Sequence, residues 1–267
     1  MTSPAEIRLS IALVTRNRPD SLRRCLQSLR AQGEQPFEIV ISDDSDDRAP
    51  TASVAAEFGA RHIDGPRRGL YANRNFSALA CQGTHIRTMD DDHTFPAEHF
   101  AQCLEAVRQS PESVWTCGEA SFLDGKAHDS TPWAIQLHPS GVGCTVTDPD
   151  DNWGIADGST IYPRSIFDAG LRFYEGYRYG SSYLEFGALL YHRGWRSRCV
   201  RGAFIEHHAD NDTLTRSAGE SCLFASLCYN LRFRPNLLRA LRHAVPYRSC
   251  MAAIPRLLPI IYARWKS

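Results

Sequence analysis

The sequence has 267 residues, of which 43% are apolar and 22% charged, and its 30 basic and 30 acidic residues give a formal charge of zero. This composition excludes an intrinsically disordered chain, which needs low hydrophobicity or a high net charge, and predicts no nucleic-acid partner. The charges are unevenly distributed: residues 221–267 contain eight basic residues and no acid, whereas residues 1–220 contain 22 basic and 30 acidic residues. The two parts are therefore expected to meet different partners.

The expected cellular location rests on the N-terminal sequence, on the lengths of the apolar stretches and on the pattern of the cysteines. No secretory signal is predicted, because the apolar segment from Ile7 to Val14 is interrupted by Arg8 and Ser10. No stretch reaches the roughly 18 to 20 apolar residues that span a bilayer. The nine cysteines form no CxxC pair, which is typical of reduced, buried thiols. We therefore predict a cytoplasmic protein, with peripheral attachment at the inner membrane face as an open alternative.

Segments with strand and helix patterns alternate from the first predicted strand onward. Alternating apolar residues predict a strand over residues 7–14, and Leu22, Cys25, Leu26 and Leu29 have the spacing of a helix that begins at Pro19. Further strands are predicted at residues 37–41, 61–63, 85–89 and 114–117, and further helices at residues 51–58, 71–81, 96–109 and 182–193. This order predicts an α/β fold with a mainly parallel sheet flanked by helices. Residues 120–160, rich in Gly, Asp and Pro, are expected to be irregular.

Three predicted strands end in polar clusters. These clusters are Thr15-Arg16-Asn17, Asp43-Asp44 and Asp90-Asp91-Asp92. In a doubly wound sheet, ligands bind at the carboxyl ends of the strands. Three consecutive carboxylates repel one another, so a site here needs a cation, and oxygen ligands suit Mg²⁺ or Mn²⁺. The alternative for the Asp run is a solvated acidic turn.

Four segments in order resemble the nucleotide-sugar half of glycosyltransferase family 2. They are Val14–Pro19, Glu38–Ser45, Gly69–Asn75 and Met89–Asp92 with Pro96. The match is clear over residues 7–118 and looser over residues 150–208. The resemblance implies a Rossmann-like GT-A fold, a metal ion (Mn²⁺ or Mg²⁺) and transfer of a sugar from a nucleotide-sugar donor, expected to be UDP-linked, with inversion. The basic segment at residues 221–267 is expected to form a C-terminal helical appendage.

The resemblance also implies roles for the residues at the strand ends. Asp44 or Asp43 would hold the nucleobase, and guanidinium groups that precede or open the third helix would reach the diphosphate. The donor-binding candidates are Thr15, Arg16, Asn17, Asp43, Asp44, Arg67, Arg68, Arg74, Asp90 and Asp91. The metal-ligand candidates are Asp90, Asp91, Asp92, His207 and His208, with no basis in the sequence for choosing between the two histidines.

An inverting transfer needs a general base that deprotonates the acceptor hydroxyl. Glu185, at the start of a predicted helix, is the first candidate, and Asp157 is the second. The adjacent acidic pair usual in the family is replaced here by Ser182 and Tyr183. Because of that replacement, a non-catalytic nucleotide-sugar-binding module stays open as an alternative.

A second rival function is phosphate-ester hydrolysis. Asp90 to Thr94 also satisfies the DxDxT motif of haloacid-dehalogenase-type phosphatases, with Asp90 and Asp92 as its acids. That class carries the motif on its first strand and needs a later lysine, whereas here it follows about the fourth strand and Lys126 is the only interior lysine. The sequence therefore favours the transferase.

The chain is expected to divide into residues 1–220, a GT-A domain, and residues 221–267, a basic helical extension. Within the domain, residues 1–118 would bind the nucleotide sugar, and residues 119–220 would bind the acceptor and supply catalysis. Aromatic residues between positions 130 and 183 suit a saccharide surface, although core packing would give the same composition. A saccharide, a lipid-linked glycan and a small molecule all stay open as acceptor. The extension could contact an anionic membrane, pack on the core or form a homodimer.

Overall fold

The computed structural model describes residues 6–156, 158–177, 180, 182–209 and 219–266. Its strands are β1 Leu9–Thr15, β2 Glu38–Asp43, β3 Arg61–Asp64, β4 His85–Asp90, β5 His93–Thr94, β6 Val114–Leu123, β7 Lys126–Thr131, β8 Ile135–Leu137, β9 Gly143–Thr145, β10 Ile161–Pro163 and β11 Ser197–Ala209. Its α-helices are α1 Pro19–Arg30, α2 Ala49–Glu57, α3 Leu70–Ala80, α4 His99–Gln109, α5 Arg164–Asp168, α6 Ser182–His192, α7 Gly219–Cys228, α8 Leu237–Ala244 and α9 Ile254–Arg264. A π-helical turn, Tyr229–Phe233, follows α7, and a 3-10 helix, Val245–Ala253, joins α8 to α9.

Within the described part of the chain, nine strands form one sheet in the order β3-β2-β1-β4-β10-β6-β11-β5, with β7 paired to β6, while β8 and β9 form a separate ribbon. Strands β3, β2, β1 and β4 pair in parallel, as do β6 and β11. The short strand β10 is antiparallel to both β4 and β6, so these two neighbours point the same way. The predicted α/β fold is therefore confirmed, and the sheet is mixed.

The register of the parallel strands brings the predicted polar clusters to one edge of the sheet. Thr15 at the end of β1 lies opposite Asp43 at the end of β2. On the other side of β1, Val14 lies opposite Asp90, the last residue of β4. The Asp run thus begins beside the end of β1, where a parallel sheet places its ligands.

Helices cover both faces of the sheet. Helix α1 begins with Pro19 at its first turn, where a missing backbone N–H costs nothing, and buries the four apolar residues expected from its spacing. They join a core with apolar residues of β1, β4 and α4. On the opposite face, residues of α3, α6, α7 and α9 form a second core.

The sequence predicted that residues 120–160 are irregular, and this is wrong for residues 120–145, which continue β6 and contribute β7, β8 and β9. Strand β7 lacks the apolar alternation of a half-buried strand because nearly all of its residues are exposed. The signal present in the sequence was Asp124-Gly125, whose φ angles of 49° and 75° form the turn of the β6–β7 hairpin.

The C-terminal segment is packed on the α/β body. Phe224 of α7 and Leu257, Ile261 and Trp265 in and after α9 are buried in the same core as residues of α3 and α6. Among the described residues, no helix has both the length and the apolarity needed to cross a membrane.

Candidate active site

The end of β1 and the Asp run are joined by a buried hydrogen bond. The Thr15 hydroxyl donates to Asp91 Oδ2 over 2.5 Å, and neither side chain is exposed to more than a trace. Burial raises the pKa of Asp91 above its usual range, against the opposing charge of Arg18. Asp91 therefore points into the protein and ties β1 to the loop that follows β4.

Arg18 bridges two carboxylates of the run. Its Nη2 lies 2.5 Å from Asp91 Oδ1, and its Nη1 donates to Asp92 Oδ2 over 2.9 Å. Burial alone would lower the pKa of Arg18, but the charges of Asp91 and Asp92 outweigh burial and raise it. One guanidinium thus offsets part of the repulsion between neighbouring acids.

Asp92, His93 and His207 form a compact cluster whose nitrogen and oxygen atoms are suited to a metal ion. One candidate ligand atom from each lies within 4.8 Å of the other two. Asp92 Oδ1 and both ring nitrogens of His93 are buried without a hydrogen-bond partner in the described part of the chain. Buried polar atoms are normally paired, and Asp92 Oδ1 lies 3.7 Å from His93 Nδ1, too far for a hydrogen bond but a distance that two ligands of one ion can have. One carboxylate and two imidazoles at this spacing fit a divalent cation.

Strand β11 supplies the second histidine of this Asp92–His93–His207 cluster. His207 lies across from His93 in the β5–β11 pairing, and the two ring centroids are 4.8 Å apart. Glu119 Oε1 lies 2.9 Å from His207 Nδ1, which leaves Nε2 for the Asp92 side. Burial opposes the charged form of His207, but the hydrogen bond to Glu119 and the charge of Asp92 raise its pKa to about 9.

His208 lies on the opposite face of β11, because successive side chains of a strand alternate. Its Nε2 is 2.9 Å from the Thr94 hydroxyl, and its ring stacks on Phe122 at a centroid distance of 5.2 Å. The structure thus brings His207 into the cluster and places His208 outside it.

His93 is held in place by a close backbone contact. Gly158 has φ of +88°, and a Cβ atom at this position would lie 2.2 Å from His93 Cε1. Only glycine allows the chain to pass this close to the ring. The approach leaves the ring 1% exposed and sets its orientation.

The three predicted diphosphate-binding arginines are in different environments. Arg74 is 1% exposed and its Nη2 donates to both carboxylate oxygens of Asp90, over 2.8 and 2.6 Å. Arg67 lies in the loop before α3 with φ of 57° and donates its backbone N–H to Asp44. Arg68 is exposed and lies 3.1 Å from Glu175. The structure brings Arg74 and Asp90 together and leaves Arg68 at the surface.

The two acids after β2 also differ. Asp43 is fully buried, its Oδ1 accepts from the Ser45 N–H over 2.7 Å, and its Oδ2 lies 3.2 Å from His62 Nε2. Asp44 keeps an exposed fraction of 8% and accepts from the Arg67 N–H over 2.8 Å. Burial raises the pKa of Asp44. Asp43 thus holds the loop, while Asp44 lies closer to solvent.

Asn17 connects the loop after β1 to the loop after β2. Its N–H donates to the Ser45 hydroxyl over 2.7 Å, and its side chain exchanges two hydrogen bonds with Asp46. Its φ of 57° lies in the left-handed region, which asparagine tolerates better than most residues. Arg16 is exposed, with Nη2 3.9 Å from Asp46.

Glu185 is not placed where an acceptor hydroxyl could reach it. Its side chain is fully buried, the Arg264 guanidinium holds both of its oxygens at 2.8 to 2.9 Å, and Trp265 Nε1 donates to Oε1 over 2.6 Å. These contacts make Glu185 the anchor of the C-terminal helix, and we do not propose it as the base. Asp157, the second candidate, lies outside the described residues.

Comparison with known proteins decides the family. A model of glycosyl transferase family 2 matches residues 10–171, more than half of the chain. The chain belongs to glycosyl transferase family 2. The resemblance drawn from the four sequence segments is thereby confirmed, and the phosphatase alternative falls away.

Two curated proteins similar to this family member carry glycosyltransferase names. An uncharacterized glycosyltransferase of Haemophilus influenzae is 28% identical over 104 residues, which are 39% of this chain and 35% of that protein. EpsH of Bacillus subtilis, whose glycosyltransferase name is provisional, is 31% identical over 137 residues, 49% of this chain and 38% of that protein. These matches thus span little more than a third of the length of either relative.

Solved structures establish the fold of this family member. The structure of GalNAc-T7 with UDP, GalNAc and Mn²⁺ superposes with a TM-score of 0.66 at 13% identity, covering 99% of this chain and 59% of that one. A fragment of TarS from S. aureus superposes with a TM-score of 0.64 at 14% identity, covering 92% and 74%. The fold is GT-A, as the sequence predicted.

Sequence reasoning missed three residues of the site. Arg18 belongs to the Val14–Pro19 segment, but the sequence prediction assigns the phosphate-binding role to the arginines that precede or open α3. His93 directly follows the Asp run, and Glu119 follows the predicted strand at residues 114–117. The available signal was the chemistry of a histidine next to three carboxylates, which favours a mixed nitrogen and oxygen site.

Proposed function

We propose that this chain transfers a sugar, with inversion, from a UDP-linked donor to an acceptor hydroxyl, and that a divalent cation assists. The observation that carries the proposal is the cluster of buried Asp92 and His93 with the part-exposed His207, at the carboxyl edge of a GT-A sheet. Ligand atoms of Asp92 and His93 lack hydrogen-bond partners among the described residues. Family membership supplies the reaction class. The cluster supplies the place where a diphosphate would be neutralised.

Asp92, His93 and His207 would hold the cation. Two imidazoles beside one carboxylate favour Mn²⁺ over the harder Mg²⁺, which prefers an all-oxygen shell. When bound, the cation would stabilise the negative charge of the departing diphosphate. Glu119 fixes the His207 ring, and such outer partners are typical of metal-ligating histidines.

The nucleotide would lie along the edge formed by β1, β2 and β4. Asp44 is the better candidate for a hydrogen bond to uracil, because both oxygens of Asp43 already have partners within the protein. Thr15, Arg16 and Asn17 would border the base, and Arg67 the phosphates. Arg74 would act through Asp90, whose carboxylate it orients for the ribose or the cation.

The acceptor hydroxyl needs a base as its oxygen attacks the anomeric carbon. The base takes the hydroxyl proton, the new glycosidic bond forms, and the bond to the diphosphate oxygen breaks. Asp157 is the remaining candidate, since Glu185 is engaged by Arg264. In support, the next residue, Gly158, contacts the His93 ring of the cluster.

The aromatic residues give less support for a saccharide acceptor than their number suggested. Phe173 packs on Phe186 and Tyr174 stacks on Phe224, each pair with ring centroids 4.5 Å apart. Phe173, Phe186 and Phe224 belong to the core, and Tyr174 packs against it. A saccharide or lipid-linked acceptor therefore remains a proposal that rests on the family.

The test is release of UDP from a panel of UDP-sugars with Mn²⁺, with and without EDTA, and with saccharide, lipid-linked and small-molecule acceptors. We expect the wild type to release UDP, and we expect EDTA, Asp92→Asn and Asp157→Asn each to abolish this release. The surface control Asp150→Asn should release UDP as the wild type does. Release that persists in EDTA or in Asp92→Asn would refute the role of the cluster. An unaffected Asp157→Asn would refute the role of Asp157 alone.

A non-catalytic UDP-sugar-binding module is the second candidate. It is favoured by the state of the acid in α6: Glu185 is paired with Arg264. The adjacent acidic pair usual in the family is also absent from the sequence. The module would be established if the protein bound UDP-sugars in a metal-dependent way, if Asp92→Asn abolished this binding, and if no acceptor in the panel gave turnover.

A further inference from the structure

Helix α8 is packed in the reverse of the usual orientation. Ala240 and Ala244 face the protein and are 5% and 6% exposed, whereas Leu237, Leu238 and Leu241 are 69%, 80% and 59% exposed. An amphipathic helix of a globular protein normally turns its leucines inward. The sequence alternative in which the basic segment buries its apolar face on the core holds for α9 but not for α8.

The exposed residues form one continuous face. At about 100° per residue, Leu237, Leu241 and the following Val245 lie in one row, with Leu238 beside it. Val245 is 63% exposed. We call these four residues the leucine face. Contiguous apolar surface of this kind marks an interaction site.

The leucine face is held outward by polar contacts on the inner side of α8. Asn236 caps the helix by accepting from the Arg239 N–H over 2.9 Å. The Arg239 Nε donates to Asn230 Oδ1 over 2.6 Å, and Asn230 is fully buried. The helix is therefore fixed on the body in this orientation.

Basic residues lie next to the leucine face along the chain. Arg242 follows Leu241 on α8, and Arg234 and Arg248 lie just before and just after the helix, all three exposed. Residues 221–267 contain no acid. The acid that precedes them, Glu220, is paired with Arg256.

We propose that the leucine face and its arginines form a docking surface for an anionic lipid bilayer. The leucines would enter the boundary between headgroups and acyl chains, and the arginines would contact lipid phosphates. This inference goes beyond the proposed function, since it needs neither donor nor metal.

The charges favour a bilayer over a second copy of the chain. A two-fold symmetric dimer pairs a surface with the same surface of its partner, so the basic border would face another basic border. Like charges at such short separations repel one another. An anionic bilayer offers an apolar interior for the leucines and negatively charged headgroups for the arginines.

The test is flotation of the full-length protein with vesicles of phosphatidylcholine alone and of phosphatidylcholine with phosphatidylglycerol, at low and high salt. We expect binding to the anionic vesicles that weakens with salt. The double variant Leu238→Ser/Leu241→Ser should bind about tenfold or more weakly. Arg242→Gln should bind anionic vesicles about fivefold more weakly and neutral ones unchanged.

The matched control is Leu79→Ser, which removes a leucine 50% exposed on α3 and should bind vesicles as the wild type does. Light scattering and a thermal melt of each variant complete the test. The proposal is overturned if the wild type ignores anionic vesicles at low salt, or if the double variant binds them equally. It is also overturned if the wild type is a dimer that the double variant converts to a monomer.

Discussion

Two charged clusters in this protein differ in whether their buried polar atoms have hydrogen-bond partners. Around Glu185, the guanidinium of Arg264 and the indole of Trp265 occupy both carboxylate oxygens. Around Asp92, one carboxylate oxygen and both nitrogens of His93 lack a hydrogen-bond partner among the described residues. Both clusters include residues that the family resemblance singled out for chemistry. Complete pairing around Glu185 indicates a structural role, whereas unpaired atoms that also have the spacing of metal ligands make the Asp92 cluster the candidate ligand site.

The comparison predicts opposite consequences for mutation. Removing a partner from the satisfied Glu185 cluster leaves a buried charge alone, which costs stability whether or not a ligand is present. Changing the Asp92–His93–His207 cluster should chiefly alter what the protein binds.

Arg264→Met should destabilise the protein by about 3 to 5 kcal/mol, because it leaves the buried Glu185 carboxylate without its counter-ion. Denaturant unfolding measures the free energy of unfolding. Arg196→Met is the control, since the Arg196 side chain is 63% exposed and lies 3.7 Å from Asp151. It should unfold as the wild type does. Equal stability of Arg264→Met and the wild type would show that the Glu185 cluster does not stabilise the fold.

Gly158→Ala should cost about 2 to 4 kcal/mol and weaken Mn²⁺ binding, because the new methyl group would collide with His93 in a backbone conformation that favours glycine. Gly170→Ala is matched to it: its φ is +81°, and nothing lies within 4 Å of the added Cβ. It should cost only about 1 kcal/mol. If both variants lost the same stability and bound Mn²⁺ alike, the contact with His93 would not matter.

Mn²⁺ should stabilise the wild type against unfolding by about 2.7 kcal/mol at a hundredfold excess over its dissociation constant. Thermal melts with Mn²⁺ and with EDTA measure this increment. His93→Gln and Asp92→Asn should lose it, while Asp150→Asn keeps it. An increment that survives in both cluster variants would place the ion elsewhere.

Glu119→Gln should lower the affinity for Mn²⁺ by about 10- to 100-fold without unfolding the protein, since Glu119 orients the His207 ring through its 2.9 Å hydrogen bond. Titration calorimetry with Mn²⁺ gives the affinity, and the exposed Glu105→Gln serves as control. An unchanged affinity would exclude Glu119 from a positioning role.

Local pattern and the geometry of parallel sheets made much of the fold and part of the site predictable. The spacing of Leu22, Cys25, Leu26 and Leu29 predicted α1, and the strand ends placed Thr15 near the Asp run. The choice between His207 and His208 depends on the register of β11 against β5, which a period of two cannot fix by itself.

The role of Glu185 could not be read from its own neighbourhood. Its partner Arg264 lies 79 positions later in the chain, and no local signal joins the two. A carboxylate at a helix start looks the same in the sequence whether it serves as a base or anchors another helix. Likewise, the leucines of α8 have helical spacing but carry no mark that they face outward.

The central claim is that Asp92, His93 and His207 form a divalent-cation site through which the protein binds a UDP-sugar. Calorimetric titration of UDP into the wild type and Asp92→Asn, each with Mn²⁺ and with EDTA, tests it most directly. We expect UDP to bind the wild type with Mn²⁺ and to bind about a hundredfold more weakly in EDTA or in Asp92→Asn. Equal affinity for UDP in all four titrations would contradict the claim.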